Sequence, residues 1–228
     1  MQQQNLFDVK KTQIQLARDR GYEISEDEEN VLNSDEYSYN TYLRALISFK
    51  KVTSIRAALT THYVNPSKNR NFLVYYVTKG SGSQISSDVI REFVNIITNK
   101  VAPYTNINFD EALIITDAKL STTSANHLME LENKTDFKFQ IFFEEDLTYN
   151  PTRRIETPRH ERLSQEEKEE VLKNLKCTAS MLPIIREEDK VVKYYGWSRG
   201  DLIRIHRNDI SLSVLNPKSI NYRIVVRI

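Results

Sequence analysis

The sequence predicts an α+β protein of two modules: an N-terminal domain of helices plus a small mixed sheet, then a small α+β C-terminal domain with antiparallel strands. Three observations carry this. Apolar side chains recur at helical spacing before residue 50 and in short strand-like runs between 57 and 143. Residues 151–162 are rich in charge and proline, poor in apolar side chains, and read as a linker between domains 1–150 and 163–228. Charge changes sign across that stretch. Residues 1–150 hold 16 Lys+Arg against 20 Asp+Glu, and residues 151–228 hold 16 against 11, an asymmetry hidden in the net charge of +1. A split of this kind points the second module toward nucleic acid or an acidic protein surface.

The elements follow in chain order. Residues 6–20 form a helix that Asn5 can cap and Gly21 can close. The acidic run Glu26 to Glu29 suits the first turn of a second helix. Tyr39, Tyr42, Leu43, Leu46 and Ile47 share one face of a third. Ala57, Leu59, Thr61 and Tyr63 then alternate with their neighbours as a strand ending at Asn65-Pro66. Phe72 to Val77 is apolar throughout and is expected to be covered on both faces. Val89, Ile90, Phe93, Val94 and Ile97 define an amphipathic helix. Strands at Ala112–Ile115 and Phe137–Phe143 flank a helix at Ser124–Glu132. In the second module Ser164 and Glu167 form a capping box. Asp189 caps a short helix closed by Gly196. Leu202–Arg207 and Tyr222–Arg227 are suited to pair antiparallel.

Composition excludes several classes. Apolar content of 39% and charged content of 28% describe an ordinary globular chain. No run approaches the ~20 apolar residues of a membrane span. The N-terminus lacks the basic and apolar regions of a signal peptide. The single cysteine, Cys177, forms no internal disulfide and fits a reducing compartment. An intracellular protein is expected.

Chemistry-bearing residues are sparse. Asp110, Asp117 and Lys119 surround a buried strand, and two carboxylates with a lysine can serve a metal-dependent nuclease. The same residues equally solvate strand ends. His62, His127, His160 and His206 are scattered without helical metal spacing, and Cys177 reads as a packing residue. Gly80-Ser81-Gly82-Ser83 lacks the lysine of a phosphate loop and reads as a turn. The fullest constellation is basic. Arg199, Arg204, His206, Arg207, Lys218, Arg223 and Arg227 interleave with Ile203, Ile205, Tyr222, Ile224 and Val226, and alternation separates the two sets onto opposite faces. Such a face can bind nucleic acid or dock on an acidic protein.

The motifs Leu182-Pro183-Ile184-Ile185, Asp189 to Gly196, Arg199-Gly200-Asp201-Leu202 and Tyr222-Arg223-Ile224 resemble, in order, the C-terminal module of RNA polymerase subunit 5, a module that the shorter archaeal members of the family share. Asp19-Arg20-Gly21-Tyr22 resembles the first-helix exit of the long form of that family, which carries an N-terminal jaw domain. The resemblance implies a non-catalytic subunit of a multisubunit DNA-dependent RNA polymerase, with no cofactor, no metal and no small-molecule substrate. Its C-terminal module would dock on the largest subunit through Pro183, Asp189, Tyr194, Gly196, Trp197, Arg199, Gly200, Tyr222 and Arg223. Trp197 and Tyr194 would be the anchors. Its jaw would meet the backbone of downstream duplex DNA near Lys119, Thr122, Thr123 and Ser124. Departures from the family pattern are Ile184, Lys190, Trp197, Thr123 in place of proline, and a longer loop at 208–219. They fit a viral polymerase, so the expected location is the nucleus or a viral factory. A metal-dependent nuclease and a free-standing DNA-binding module remain the rivals.

Overall fold

The computed structural model describes residues 2–52, 54–77, 84–134, 137–207 and 219–227. The turn expected at 80–83 and most of the 208–219 loop lie outside the described residues. The chain divides into two compact units, Met1–Tyr149 and Asn150–Ile228.

In the first unit, α1 (Gln2–Asp19) begins upstream of the expected Asn5 cap, which falls inside the helix. It closes with Gly21 N–H on Arg18 O and Tyr22 N–H on Ala17 O. Ser25 caps α2 (Glu26–Asn33) and Asp35 caps α3 (Glu36–Lys50). Residues 55–59 correct the sequence reading, because they form α4 (Ile55–Leu59) and the strand β1 covers only Thr61–Asn65. Alanines alternate as readily on a short helix as on a strand. The last residue of α3 holds this helix, since Lys50 Nζ donates to Ala58 O at 2.7 Å and Thr60 O at 2.6 Å. Burial pushes the Lys50 ammonium down to about 8.

Strands β2 (Arg70–Tyr76), β3 (Glu111–Thr116) and β4 (Lys138–Phe143) complete a sheet of order β1-β2-β3-β4. The first pair is antiparallel and the others parallel. Both faces of β2 are covered. Leu73, Tyr75 and Val77 pack with Ala112 and Ile114 against α5 (Ser87–Asn99) and α6 (Thr122–Lys134). On the other face Phe72 stacks on Tyr22, with ring centroids 4.9 Å apart. That coverage explains an apolar run without alternation, each large side chain adding roughly 1.5–3 kcal/mol.

Beneath α1 lies a buried polar cluster. Lys10 Nζ donates to Glu28 Oε1 and Gln13 Oε1, both at 2.8 Å, and Tyr63 OH donates to Glu28 at 2.6 Å. Lys10 is wholly buried. Desolvation would raise the Glu28 carboxyl, but the Lys10 charge and the hydrogen bonds from Lys10 and Tyr63 hold it below its ordinary value.

The second unit has a four-stranded sheet of order β5-β7-β8-β6, from β5 (Arg159–Arg162), β6 (Ile184–Arg186), β7 (Leu202–Arg207) and β8 (Ser219–Val226). The β7–β8 pair is antiparallel as expected, while β6 adds a parallel strand beside β8 and makes the sheet mixed. Helix α7 (Gln165–Leu175) carries the Ser164–Glu167 capping box, and α8 (Lys190–Tyr195) is capped by Asp189 and closed by Gly196. Val192 and Trp197 pack on Ile185, Ile203, Ile205 and Val225.

The expected linker, 151–162, is corrected. Arg159–Arg162 form β5, an edge strand paired with β7. Pro151 is buried, and Asn150 Nδ2 donates to Tyr194 OH at 2.9 Å. An edge strand needs no apolar alternation, because charged side chains there discourage further pairing. Only 153–156 is continuously exposed in this stretch.

Candidate functional site

The acidic residues considered for metal chemistry do not converge. Asp110 precedes β3 and Asp117 follows it, so a strand of roughly 20 Å separates them. Asp110 Oδ2 accepts from Asn71 N–H at 2.7 Å, and Asp117 pairs with Arg56 at 3.0 Å. Each carboxylate has a structural partner. Among the described residues no three His, Cys, Asp or Glu gather in a way that could hold a metal ion. The nuclease arrangement is not built here.

The segment entering α6 is built around Ile85. Ile85 N–H donates to Lys119 O at 2.9 Å, and Ser121 N–H donates to Ile85 O at 3.3 Å. Ser124 is fully buried, and its hydroxyl donates to the same Ile85 carbonyl at 3.0 Å. Ser124 therefore positions the helix start and is withdrawn from any surface contact, a correction to its expected place beside DNA. Lys119, Thr122 and Thr123 are exposed.

In the second unit the register decides which side chains share a face. Arg204 lies opposite Tyr222, and Ile203 opposite Arg223. Tyr222, Ile224 and Val226 thus share the face of Arg204 and His206, while Arg223 shares that of Ile203 and Ile205. The expected separation of basic and apolar faces does not occur, because pairing register is set by the partner strand and the intervening loop. Two of the basic groups also share an internal carboxylate. Glu161 accepts from His206 at 3.2 Å and from Arg204 at 3.4 Å. The hydrogen bond from His206, aided by Arg204, holds the Glu161 carboxyl below its ordinary value. Arg223 donates to Ile184 O at 3.1 Å.

The residues expected to meet a partner divide into two groups. Tyr194 is 0% exposed and engages Asn150, so it is not an anchor. Asp189 is occupied at the α8 N-terminus, where its carboxylate accepts from Val191 and Val192 N–H. Tyr222 stands beside Arg204, its ring centroid 5.9 Å from the guanidinium carbon. Pro183, Arg199, Gly200 and Arg223 come together along the β6–β8 edge. Ile224 N–H donates to Pro183 O, Gly200 N–H to Val225 O, and Arg199 N–H to Glu187 Oε1. Gly196 (φ +68°) and Gly200 (φ +91°) shape the turns that bound this edge, both in the left-handed region. Trp197 stacks on Tyr195 with centroids 4.6 Å apart. Ile184 and Met181 leave 50% and 73% of their surface exposed, and Arg186 shares the exposed face of β6 with Ile184. The sequence reading names Ile184 as a motif residue and, with Ile185, Tyr194, Tyr195 and Trp197, among the apolar residues that argue for a protein interface. An exposed branched side chain on a three-residue strand leaves no periodic trace.

This geometry can be set beside known proteins. The sequence model for the RNA polymerase Rpb5 C-terminal domain matches residues 149–225, nearly the whole second unit. Similarity extends through both units in curated relatives. A subunit of DNA-directed RNA polymerases I, II and III from Dictyostelium discoideum is 26% identical over 202 residues, 89% of each chain. The corresponding subunit from Caenorhabditis elegans is 25% identical over 97% of this chain and 95% of its own. Subunit 5A of RNA polymerase V from Arabidopsis thaliana is 26% identical over 85% and 77%. Fold and similarity together define an α+β protein of the RNA polymerase subunit class. Within it, the second unit matches the RNA polymerase subunit 5 C-terminal domain, and the whole chain is similar to subunit 5 proteins.

Proposed function

We propose that this chain is a non-catalytic subunit of a multisubunit DNA-dependent RNA polymerase. Its second unit docks on the largest subunit, and its first unit forms part of the jaw around downstream DNA. The observation that carries the reading is similarity running through both units to proteins named as polymerase subunits. The β6–β8 edge supports docking, since exposed Ile184 beside Arg186, with Met181 exposed just before the strand, suits a protein partner. Lys119, Thr122 and Thr123 suit contact with phosphates, which reads no sequence. Nucleotide addition belongs to the large subunits and their metal ions. The subunit acts inside the cell, in the nucleus or a viral factory, without a cofactor or small-molecule substrate.

The test is affinity purification of the tagged full chain from its native source. The two large polymerase subunits should co-purify and stay bound as salt rises, because an apolar interface loses only its screened rim charges. Ile184→Asp with Met181→Asp should release them, with the circular dichroism of the chain unchanged. The isolated chain should bind duplex DNA no more tightly than ~10⁻⁵ M at physiological salt. Absence of large subunits, together with sub-micromolar DNA affinity, would instead establish a free-standing DNA-binding protein.

A further inference from the structure

The half-buried ammonium of Lys50 has only neutral partners. Its Nζ donates to the carbonyl oxygens of Ala58 and Thr60 at 2.7 and 2.6 Å, and it forms no ion pair among the described residues. Lys10 shows the contrast, being wholly buried but paired with Glu28 at 2.8 Å. The charged groups around Lys50 offer little relief. Lys10 on α1 adds to the cost of its charge, and Glu28 on α2, which opposes that cost, is already shared by Lys10 and Tyr63. Arg56 on α4 is engaged by Asp117 and Glu144, and Lys51 follows in the chain. An amine desolvated beside another cation gives up its proton readily and becomes a nucleophile.

The two carbonyls also orient the neutral form. A neutral amine has two N–H bonds and one lone pair at the remaining corner of its tetrahedron. Ala58 O and Thr60 O can accept both hydrogens, which leaves the lone pair at the corner where no described residue is bonded. Lys50 therefore keeps its place when it loses its charge. Burial first, and then Lys10, brings its value down to about 8. At pH 7.5 about a quarter of such an amine is free, against about 0.1% of a lysine at its ordinary value.

We propose that Lys50 is an acylation site that reacts with thioesters, and that its acylation loosens α4. The Nζ lone pair attacks the thioester carbonyl carbon, the N–C bond forms as the C–S bond breaks, and the thiolate leaves with the proton from Nζ. The product amide carries no charge and has one N–H for two carbonyls. Helix α4 has five residues, too few to hold by itself, and loses part of the contact that fastens its C-terminal end. Arg56 on the same helix binds Asp117 at 3.0 Å and Glu144 at 2.8 Å, so the loosening reaches the end of β3. This inference does not rest on the polymerase reading and uses no part of the β6–β8 edge.

The test is competitive labelling of the full chain. A limiting dose of S-acetyl-N-acetylcysteamine is applied between pH 6.5 and 10, and every remaining amine is then acetylated with heavy acetic anhydride in denaturant. Trypsin cutting after Arg44 and Arg56 releases one peptide holding Lys50 and Lys51, which fragment masses separate. At pH 7.5 Lys50 should react at least tenfold faster than the exposed Lys51 and Lys119, and its rate should level off above pH 8. In the acylated chain and in Lys50→Gln, the amides of Ala58 and Thr60 should exchange hydrogen at least fivefold faster, with α5 unchanged. Reaction at Lys50 no faster than at Lys51, or a rate still climbing at pH 10, would overturn the proposal. So would unchanged exchange at Ala58 and Thr60 after acylation, or exchange that quickens equally in α5.

Discussion

Replacing Lys10 with methionine should destabilise the first unit strongly at neutral pH and weakly in mild acid. Methionine keeps the length of the side chain but leaves Glu28 buried without its cation, having lost a 2.8 Å ion pair. An unpaired buried charge costs about 3–5 kcal/mol. The cost has a ceiling, because Glu28 can take up a proton instead. Neutralising a carboxyl of ordinary pKa ≈ 4.3 at pH 7 costs about 3.7 kcal/mol, at 1.36 kcal/mol per unit. The expected loss is therefore about 3–4 kcal/mol at pH 7 and about 1 kcal/mol at pH 5. The signs differ in the two proteins. In the parent the Glu28 value is lowered, so its stabilisation is present above the unfolded value and lost as pH falls through the folded one. In the variant the value is raised, so the stability of the protonated form is lost as pH rises. The gap between them closes from pH 7 downward. Urea unfolding followed by far-ultraviolet circular dichroism at pH 7.5 and pH 5 measures it. The single tryptophan, Trp197, lies in the second unit, so its fluorescence reports that unit separately. A gap under about 1 kcal/mol at pH 7.5, or one that does not narrow at pH 5, would refute the reasoning.

Other expectations follow from the same geometry. Gly196→Val and Gly200→Val should each cost about 1–3 kcal/mol. At Gly200 nothing lies within 4 Å of an added Cβ, so backbone strain alone acts there, and an unchanged melting temperature would remove that role. A fragment beginning at Asn150 should fold, while one beginning at Leu163 loses β5, Pro151 and the Asn150–Tyr194 bond and should melt lower or not fold. Limited proteolysis should cut within 153–158, and cuts spread evenly to Arg162 would show β5 unpaired. The purified chain should leave plasmid DNA intact with magnesium or manganese, because Asp110 and Asp117 stand at opposite ends of β3. Cleavage abolished by Asp117→Asn would restore the nuclease.

Much of this fold is legible where local chemistry is self-sufficient. The capping box at Ser164 and Glu167, the Asp189 cap with Gly196, and the amphipathic face of α5 each depend on side chains within a few positions, so spacing alone reveals them. The motifs from Leu182 to Arg223 likewise carry the family resemblance. Other features depend on partners far away in the chain. β7 makes a strand of residues that read as a linker. The register of β8 against β7 mixes a basic and an apolar set that alternation alone separates, and Asn150 turns Tyr194 from an expected anchor into a buried support. Periodicity records which way a side chain points along its own element. What it meets is decided by the packing of elements distant in sequence, and only the tertiary structure holds that information.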